Sequence, residues 1–275
     1  LEAKLPTYIQ TMVDNCIECG NAYGKTVLCD KLTKKIAEHS ADADTLLFLG
    51  ADARYMACEQ AVKAIEVLEK ANVSFTVLAD EPASGAQLDL LIGAADEAKE
   101  QMSAAAKAMN KFKTVVIYDP TDAKVIKRTY KEYGIDVTAK TVTFTSFIAE
   151  LIKNGSLVPE KSGKTVVYQD PFQLSRDLEE TEQPRDVIGA FAELHEMLLN
   201  RKDTVWAGNI LMAQYMPKVI EEVASRRIFN TKSIGENAIV TACVSEYAAL
   251  KSVDQTDIEI LSREDLILGW DLRGI

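Results

Sequence analysis

The sequence predicts an α/β protein made of two pseudo-symmetric tandem α/β halves with mostly parallel sheets. Short β-rich apolar runs alternate with long segments of helical period, which is typical of parallel strands joined by helices. Landmark residues of the first half recur roughly 120 residues later in the second half. With 275 residues, of which 47% are hydrophobic, the chain is long enough to bury a substantial core.

Five apolar runs are the predicted strands, and each is followed by a small or polar residue. They cover residues 45–49, 74–78, 114–118, 165–168 and 238–242. Because parallel strands of one sheet end at the same edge, the residues after them are the first place to look for a site.

Helices are predicted between these strands. The one after the first strand has an apolar stripe at three- and four-residue steps, formed by Cys58, Ala61, Val62, Ile65 and Leu68. Further helices are expected over 90–110, 184–199 and 210–227, and His195 falls inside the second of these. Residues 154–164, which contain Gly155, Pro159 and Gly163, predict a loop. We therefore expect a helical and loop lead-in over 1–40, a first half over 41–158 and a second half over 159–275.

The composition excludes some classes of function. Lys and Arg total 31 against 42 Asp and Glu, and the resulting net charge of -11 disfavours nucleic acid as a partner. No apolar run is long enough for a membrane span, so we expect a cytoplasmic protein without one. Five cysteines, an odd number without a secretory signal, argue for free thiols rather than a disulfide framework.

The internal repeat rests on three landmarks in each half. The first half has Gly50-Ala51-Asp52, then Pro82-Ala83-Ser84-Gly85, then Tyr118-Asp119-Pro120-Thr121-Asp122. The second half has Asp170-Pro171-Phe172, then Val205-Trp206-Ala207-Gly208, then Thr241-Ala242-Cys243-Val244-Ser245-Glu246. The spacing between matching landmarks is nearly constant, so we expect Ala51, Ala83 and Asp119 to correspond to Phe172, Trp206 and Cys243.

The landmarks and several short motifs resemble the tandem cysteine-rich CCG-domain family of iron–sulfur oxidoreductase subunits. That family includes iron–sulfur subunits of heterodisulfide reductase, of glycolate oxidase and of the anaerobic glycerol-3-phosphate dehydrogenase. The motifs Asn21-Ala-Tyr-Gly24, Gln169-Asp-Pro-Phe-Gln-Leu-Ser-Arg176 and Val240-Thr-Ala-Cys243 are similar to Asn-Pro-Tyr-Gly, His-Asp-Pro-Cys-x-Leu-x-Arg and the family's last cysteine motif. Residues 47–55 are similar to its Phe-x-Gly-Cys-x-x-Arg-Tyr stretch.

The resemblance implies that nearly all the cluster ligands are replaced. The vestigial cluster positions are Ala51, Ala83, Ser84, Asp119 and Asp122 in the first half and Phe172, Trp206, Ala207, Cys243 and Glu246 in the second. One thiolate cannot hold a cluster that normally takes about four. We therefore expect the ancestral 4Fe-4S-type cluster to be lost, no cofactor to replace it, and Phe172 and Trp206 to fill the second site.

On this interpretation the protein is a cluster-free structural or docking component of an electron-transfer complex, and its partners are other subunits or domains of an oxidoreductase. One alternative is a small-molecule-binding or catalytic protein that uses the cleft between the two halves. Another is an iron–sulfur subunit completed by ligands that a partner supplies. The sequence leaves all three open.

Three smaller groups have more than one interpretation. Asp119 and Asp122 form a hard-metal or general-base site, or Asp119 with Pro120 caps the next helix. Arg54 and Tyr55 contact an anionic ligand, or they make structural hydrogen bonds. The N-terminal cysteines Cys16, Cys19 and Cys29 ligate zinc or a cluster, or they are free thiols. A third interpretation is a redox role for the Cys-x-x-Cys, which can lower a thiol pKa at a helix start.

Overall fold

The computed structural model describes residues 4–253 and 257–269. Two sheets, in which all described strand pairs are parallel, form its framework. The first sheet has the order β1-β2-β3 and the second has the order β5-β4-β6-β7. The α/β fold class with two halves and parallel sheets, predicted from the sequence, is confirmed.

The first sheet and its helices extend to residue 153. Two helices come first, and the strands alternate with helices from there on. The bounds are α1 (Thr7–Cys19), α2 (Asp30–Glu38), β1 (Thr45–Phe48), α3 (Ala51–Met56), α4 (Cys58–Lys70), α5 (Ala86–Ile92), α6 (Asp96–Met109), β2 (Thr114–Ile117), α7 (Pro120–Lys124), a π-helical segment (Val125–Thr129), α8 (Tyr130–Glu132), β3 (Lys140–Thr143) and α9 (Phe144–Lys153).

The second sheet follows the loop at 154–164, where the sequence predicts one. Its elements are β4 (Thr165–Gln169), a π-helical segment (Gln173–Asp177), α10 (Glu182–Phe191), β5 (Glu193–His195), a 3-10 turn (Arg201–Asp203), α11 (Ile210–Ala213), α12 (Pro217–Ser233), β6 (Ala238–Thr241), α13 (Val244–Ser252), β7 (Glu259–Ser262) and α14 (Arg263–Leu268).

The two sheets share one topology. In the second, β5 lies at the edge beside β4. In the first, the corresponding edge is a single parallel bridge between Thr76 and Leu46 of β1. The Thr76 segment, β1, β2 and β3 therefore follow one another across the first sheet in the same order as β5, β4, β6 and β7 across the second. Asp119 and Cys243 are the N-caps of the helices after β2 and β6, so they occupy equivalent places, as the spacing of the landmarks predicts.

β-branched and aliphatic residues form the central strands because such side chains pack well on a pleated surface covered on both faces. Three of the four residues of β1 and of β2, and all four of β6, are buried. The largest core cluster draws on both sheets. Helices α4 and α14 also meet at a buried ion pair, in which Lys63 Nζ lies 2.7 Å from Asp265 Oδ1. The core is therefore continuous between the two sheets.

Several predicted elements are wrong in extent. The helix expected over 184–199 ends at Phe191, because Ala192 is extended and leads into β5. His195 therefore lies on an edge strand, where its Nδ1 is 2.7 Å from Glu236 Oε1. The helix expected over 90–110 is interrupted at Gly93, which has a φ of 70°. Strands β3 and β7 were not predicted, since β3 in particular is only partly buried and lacks a continuous apolar run.

The expectation that all cysteines are free thiols is also wrong. Cys29 and Cys58 form a disulfide with a Cα–Cα distance of 6.5 Å. The bond ties the N-cap of α2 to the first residue of α4. The other three cysteines are free. The two partners are 29 residues apart in the sequence, and only the folded chain brings them together.

None of the helices within the described ranges combines the length and the apolar composition that a transmembrane span requires.

Candidate functional site

The carboxyl ends of β1 and β2 hold a cluster of acidic side chains. The strands are adjacent and parallel, with Phe48 opposite Ile117. The turn after β1 passes through Gly50, whose φ of 85° and ψ of 159° favour glycine. A Cβ on Gly50 would collide with Asp122 Oδ2. This close approach of the backbone brings the start of α3 against the start of α7.

Asp52, on α3, is the best-satisfied member of the cluster. Its Oδ1 accepts hydrogen bonds from Tyr23 Oη at 2.6 Å and from Gln87 Nε2 at 2.7 Å. Its Oδ2 accepts one from Ser245 Oγ at 2.7 Å. Because Ser245 lies on α13, this carboxylate joins the first half to the second. The three donors come from three different parts of the chain, which fixes the position of Asp52.

Asp119 is the N-cap of α7, as the Asp-Pro pair allows. Its Oδ1 accepts the Thr121 backbone N–H at 2.7 Å. The side chain is only 1% exposed, yet its Oδ2 has no hydrogen-bond partner within the described residues. Burial, and then the nearby Asp52, raises the pKa of Asp119 to about 6. Asp119 therefore caps the helix through Oδ1, while its Oδ2 remains able to accept a hydrogen bond.

Asp122 lies one turn further along and is buried too. Its Oδ1 accepts a short hydrogen bond from Ser84 Oγ. Burial and the charge of Asp119 raise the pKa of Asp122 well above its usual range. Of the two neighbouring carboxyl groups, Asp119 has the pKa that lies close to neutrality. A carboxylate whose pKa lies close to neutrality can accept a proton and return it.

Ser84 is held in place by its own turn. Its Oγ accepts the Ala86 backbone N–H at 3.1 Å, and its carbonyl oxygen accepts a 2.8 Å hydrogen bond from Tyr130 Oη. The next residue, Gly85, has a φ of 80° and begins α5. The turn that the sequence marks as a landmark thus delivers a hydroxyl to the acidic cluster.

A small cavity of about 20 Å³ opens at this cluster. A volume of this size holds about one water molecule. Half of Leu90 is exposed, which places it on the solvent side. The cavity is lined by Gly20, Ala51, Asp52, Ala83, Ser84, Gly85, Ala86, Gln87, Leu90, Gln101, Asp119, Thr121, Asp122, Asn209 and Leu211.

The equivalent place in the second half is filled instead. Glu246 accepts hydrogen bonds at 3.2 Å from the Ala207 backbone N–H and from Gln169 Nε2. Arg227 is fully buried beside it and donates to Gln169 Oε1. Burial raises the pKa of Glu246 to about 8. Side chains of the protein thus complete the polar contacts of Glu246.

The two aromatic residues expected to fill this site are less buried than predicted. Phe172 and Trp206 are half-buried, whereas Ala207 and Cys243 are buried. Trp206 is partly buried and packs against a core cluster of the second sheet. Burial, followed by Asp119 and Glu246, raises the pKa of Cys243 well above its usual range, so the thiol stays protonated.

Arg54 and Tyr55 make structural contacts. The guanidinium of Arg54 donates to the backbone oxygens of Leu78 at 3.0 Å and Ala79 at 2.6 Å. Tyr55 offers its backbone oxygen to Lys25 Nζ at 2.8 Å. Neither residue lines the cavity.

The three candidate cysteine ligands are not brought together. Cys29 is bonded to Cys58. Cys16 is buried on α1, where burial and then Asp52 raise its pKa to about 12. Cys19 is half-buried. Within residues 4–253 and 257–269, no group of three or more His, Cys, Asp or Glu side chains is placed to hold a metal ion.

Sequence reasoning found part of the site and missed the rest. Asp119, Asp122 and Ser84 were candidate positions, whereas Asp52, although it follows the predicted Gly50 turn, was not. Its partners could not be identified from the sequence, because Tyr23, Gln87 and Ser245 are 29, 35 and 193 residues away. The one feature of the sequence that could have pointed to Asp52 is its place as a polar residue shortly after the glycine that ends the first strand.

No protein-family model matches the chain and no curated protein does. Among solved structures, an aspartate racemase homologue from Pyrococcus horikoshii is similar with a TM-score of 0.38 and 12% identity, over 82% of this chain and 96% of that chain. A glutamate racemase from Bacillus anthracis has a TM-score of 0.37 and 12% identity, over 83% of this chain and 79% of that chain.

These neighbours are racemase-like proteins and not cysteine-rich iron–sulfur subunits. The CCG-domain resemblance is therefore a wrong prediction, and the oxidoreductase-related role that rested on it, docking in an electron-transfer complex, is wrong as well. The landmarks that suggested it reflect a doubled parallel α/β unit with small and polar residues after its strands. At such low TM-scores the racemases themselves establish no activity for this chain.

Proposed function

We propose that the protein binds a small polar molecule in the cavity between its halves, with the carboxylate of Asp119 as the principal hydrogen-bond acceptor. One observation carries the proposal: among the residues that the structure describes, the buried Asp119 Oδ2 has no hydrogen-bond partner. A buried acceptor left unsatisfied costs about 1–3 kcal/mol. A ligand that donates a hydrogen bond to it recovers that free energy.

The surroundings of Asp119 support a ligand site rather than a structural one. The rest of the cluster is committed: Asp52 has three donors, and Asp122 is bonded to Ser84. The cavity lies at the carboxyl ends of parallel strands, where open α/β sheets commonly bind ligands. The pKa of about 6 makes the charge of Asp119 responsive near neutral pH.

The size of the cavity sets the binding mode. About 20 Å³ accepts one small polar group, so the remainder of a ligand extends past Leu90 towards solvent. A water molecule is the competing occupant. Displacing it favours ligands whose polar group reproduces its hydrogen bonds.

The test is a fragment screen read by protein NMR on the full chain. The backbone amide of Thr121 reports on the site because it donates to Asp119 Oδ1. We expect a subset of fragments to shift this resonance saturably and to lose the effect in Asp119→Asn. Asparagine keeps the N-cap oxygen, so the fold is retained. Asp136→Asn is the matched control, since Asp136 is exposed.

The proposal fails if no fragment shifts the Thr121 resonance saturably. It also fails if fragments bind Asp119→Asn as tightly as they bind the wild type and Asp136→Asn.

A further inference from the structure

The charges around the cavity narrow down the group that enters it. Three carboxyl side chains line it, those of Asp52, Asp119 and Asp122, and none of its lining residues is Lys, Arg or His. An uncompensated negative field in a poorly solvated space attracts a cation and repels an anion. The charge of the cavity lining therefore disfavours ligand groups that carry a carboxylate or a phosphate.

Two cations of the first half, Arg54 and Lys25, make their hydrogen bonds outside the cavity. Arg54 donates to two backbone oxygens, and Lys25 donates to the Tyr55 carbonyl at the surface. The other polar side chains of the lining are neutral amides and hydroxyls. Gln87 and Gln101, for example, donate to Asp52 Oδ1 and to the Cys16 carbonyl. No basic lining group is therefore available to neutralise Asp119.

One buried side-chain atom of the cavity lining lacks a partner among the described residues, and it is an acceptor, Asp119 Oδ2. Gln173 does not line the cavity, but its Nε2 donates to Thr121 Oγ1 at 3.2 Å, and its buried Oε1 also lacks a partner within the described part of the chain. Two unfilled acceptors thus lie on residues that both bond to Thr121. A group rich in donors satisfies such a place better than a group that only accepts.

We propose that the group bound in this cavity is the ammonium of a protonated primary amine, paired with Asp119 Oδ2. This inference deepens the function proposed above and depends on it. An ammonium carries one positive charge and three donors in a compact volume, which matches the charge, the missing donors and the size of the cavity. The carbon skeleton of the amine extends towards Leu90 and the amide-bearing rim.

The experiment uses the 275-residue chain and five small probes: methylammonium, tetramethylammonium, acetamide, acetate and formate. Binding is followed through the Thr121 amide resonance at constant ionic strength. We expect methylammonium to bind the wild type saturably. Its affinity for Asp119→Asn should be at least about tenfold weaker, because that variant lacks one charge-assisted hydrogen bond. Asp136→Asn should bind methylammonium as the wild type does.

A second measurement needs no variant. In the wild type, methylammonium affinity should rise as pH increases from about 5 to 7, because Asp119 becomes ionised over that range. A neutral donor should gain less from the same ionisation, because its hydrogen bond to the carboxylate lacks the attraction between opposite charges. A methylammonium affinity that does not rise over this range would show that the ammonium assignment is wrong.

The outcomes separate the two proposals. If acetamide or an anion binds in an Asp119-dependent manner as tightly as methylammonium, the ammonium assignment is wrong and the ligand site stands. If tetramethylammonium binds equally well, hydrogen-bond donation is not the basis of recognition and the assignment is again wrong. If none of the probes binds and the fragment screen is also empty, both proposals fail.

Discussion

Asp122 and Glu246 occupy equivalent positions in the two halves. Each is the third residue of the helix that follows the equivalent strand, β2 or β6, and each is buried. Asp122 faces an open cavity and a partly unsatisfied neighbour, Asp119, whereas Glu246 is enclosed by Gln169, the Ala207 backbone and Arg227. The same backbone geometry therefore supports a candidate ligand site in one half and a closed polar cluster in the other.

Glu246→Gln should flatten the dependence of stability on pH. The folded pKa of Glu246, about 8, is higher than its ordinary value of 4.5, so protonation stabilises the fold fully below 4.5 and this contribution is lost as pH rises through 8. The neutral amide of glutamine does not ionise, so this fall in stability should be absent in the variant. The free energy of unfolding in urea, measured from pH 5 to 9, tests this, with the variant Glu150→Gln at an exposed position as control. A wild type whose stability does not fall over this range would refute the assignment.

Asp119→Asn should remove a second fall of stability at lower pH. Its folded pKa of about 6 lies above the ordinary 3.8, so the stabilising protonation is complete below 3.8 and disappears as pH rises through 6. The shift corresponds to at most about 3 kcal/mol. Unfolding curves from pH 4 to 7 should therefore decline less in the variant than in Asp136→Asn. Identical slopes in both variants would contradict the raised pKa.

Gly50→Ala should destabilise the fold by about 2–4 kcal/mol, through left-handed backbone strain and a collision with Asp122. Gly155→Ala is a matched control, because Gly155 has a φ of +79° but nothing within 4 Å of an added Cβ. We expect it to cost only about 1 kcal/mol. Chemical denaturation of both variants separates the two effects. Equal losses would show that the turn after β1 does not press on the acidic cluster.

Reduction of the Cys29–Cys58 disulfide should destabilise the protein by about 3–4 kcal/mol, the loop-closure contribution for its 29-residue separation. The double variant Cys29→Ser/Cys58→Ser should show the same loss and no further response to dithiothreitol. Cys19→Ser should respond like the wild type, because Cys19 is free. Thiol titration of the unfolded, unreduced protein should find three thiols, and five would show that the bond is absent.

The architecture could be predicted from the sequence, but the protein family could not. Runs such as 114–118 predicted central strands because a buried parallel strand is continuously apolar. Edge and half-exposed strands such as β5 and β3 lack that pattern. The repeat was recognisable because both halves use the same strand-end turns. Those turns belong to the geometry of the fold, so they could not distinguish one family from another.

The candidate site was partly predictable for the same reason. Residues directly after β1 and β2 meet by topology, which is why Asp119 and Asp122 could be singled out. Ser84 was named because the family resemblance placed a cluster ligand at that position. The features that make the site chemically distinctive depend on tertiary structure: the burial of Asp119, its unpaired Oδ2 and the cross-half bond from Ser245 to Asp52. No local pattern encodes them.

The most direct measurement is an NMR titration of the Asp119 carboxyl carbon, assigned by comparison with Asp119→Asn, in the presence and absence of methylammonium. In the free protein we expect a midpoint near pH 6. Bound methylammonium should move it to lower pH, because a cation favours the ionised carboxylate. A midpoint near 4 that methylammonium leaves unchanged would contradict the assignment of Asp119 as the buried, unsatisfied acceptor of a ligand site.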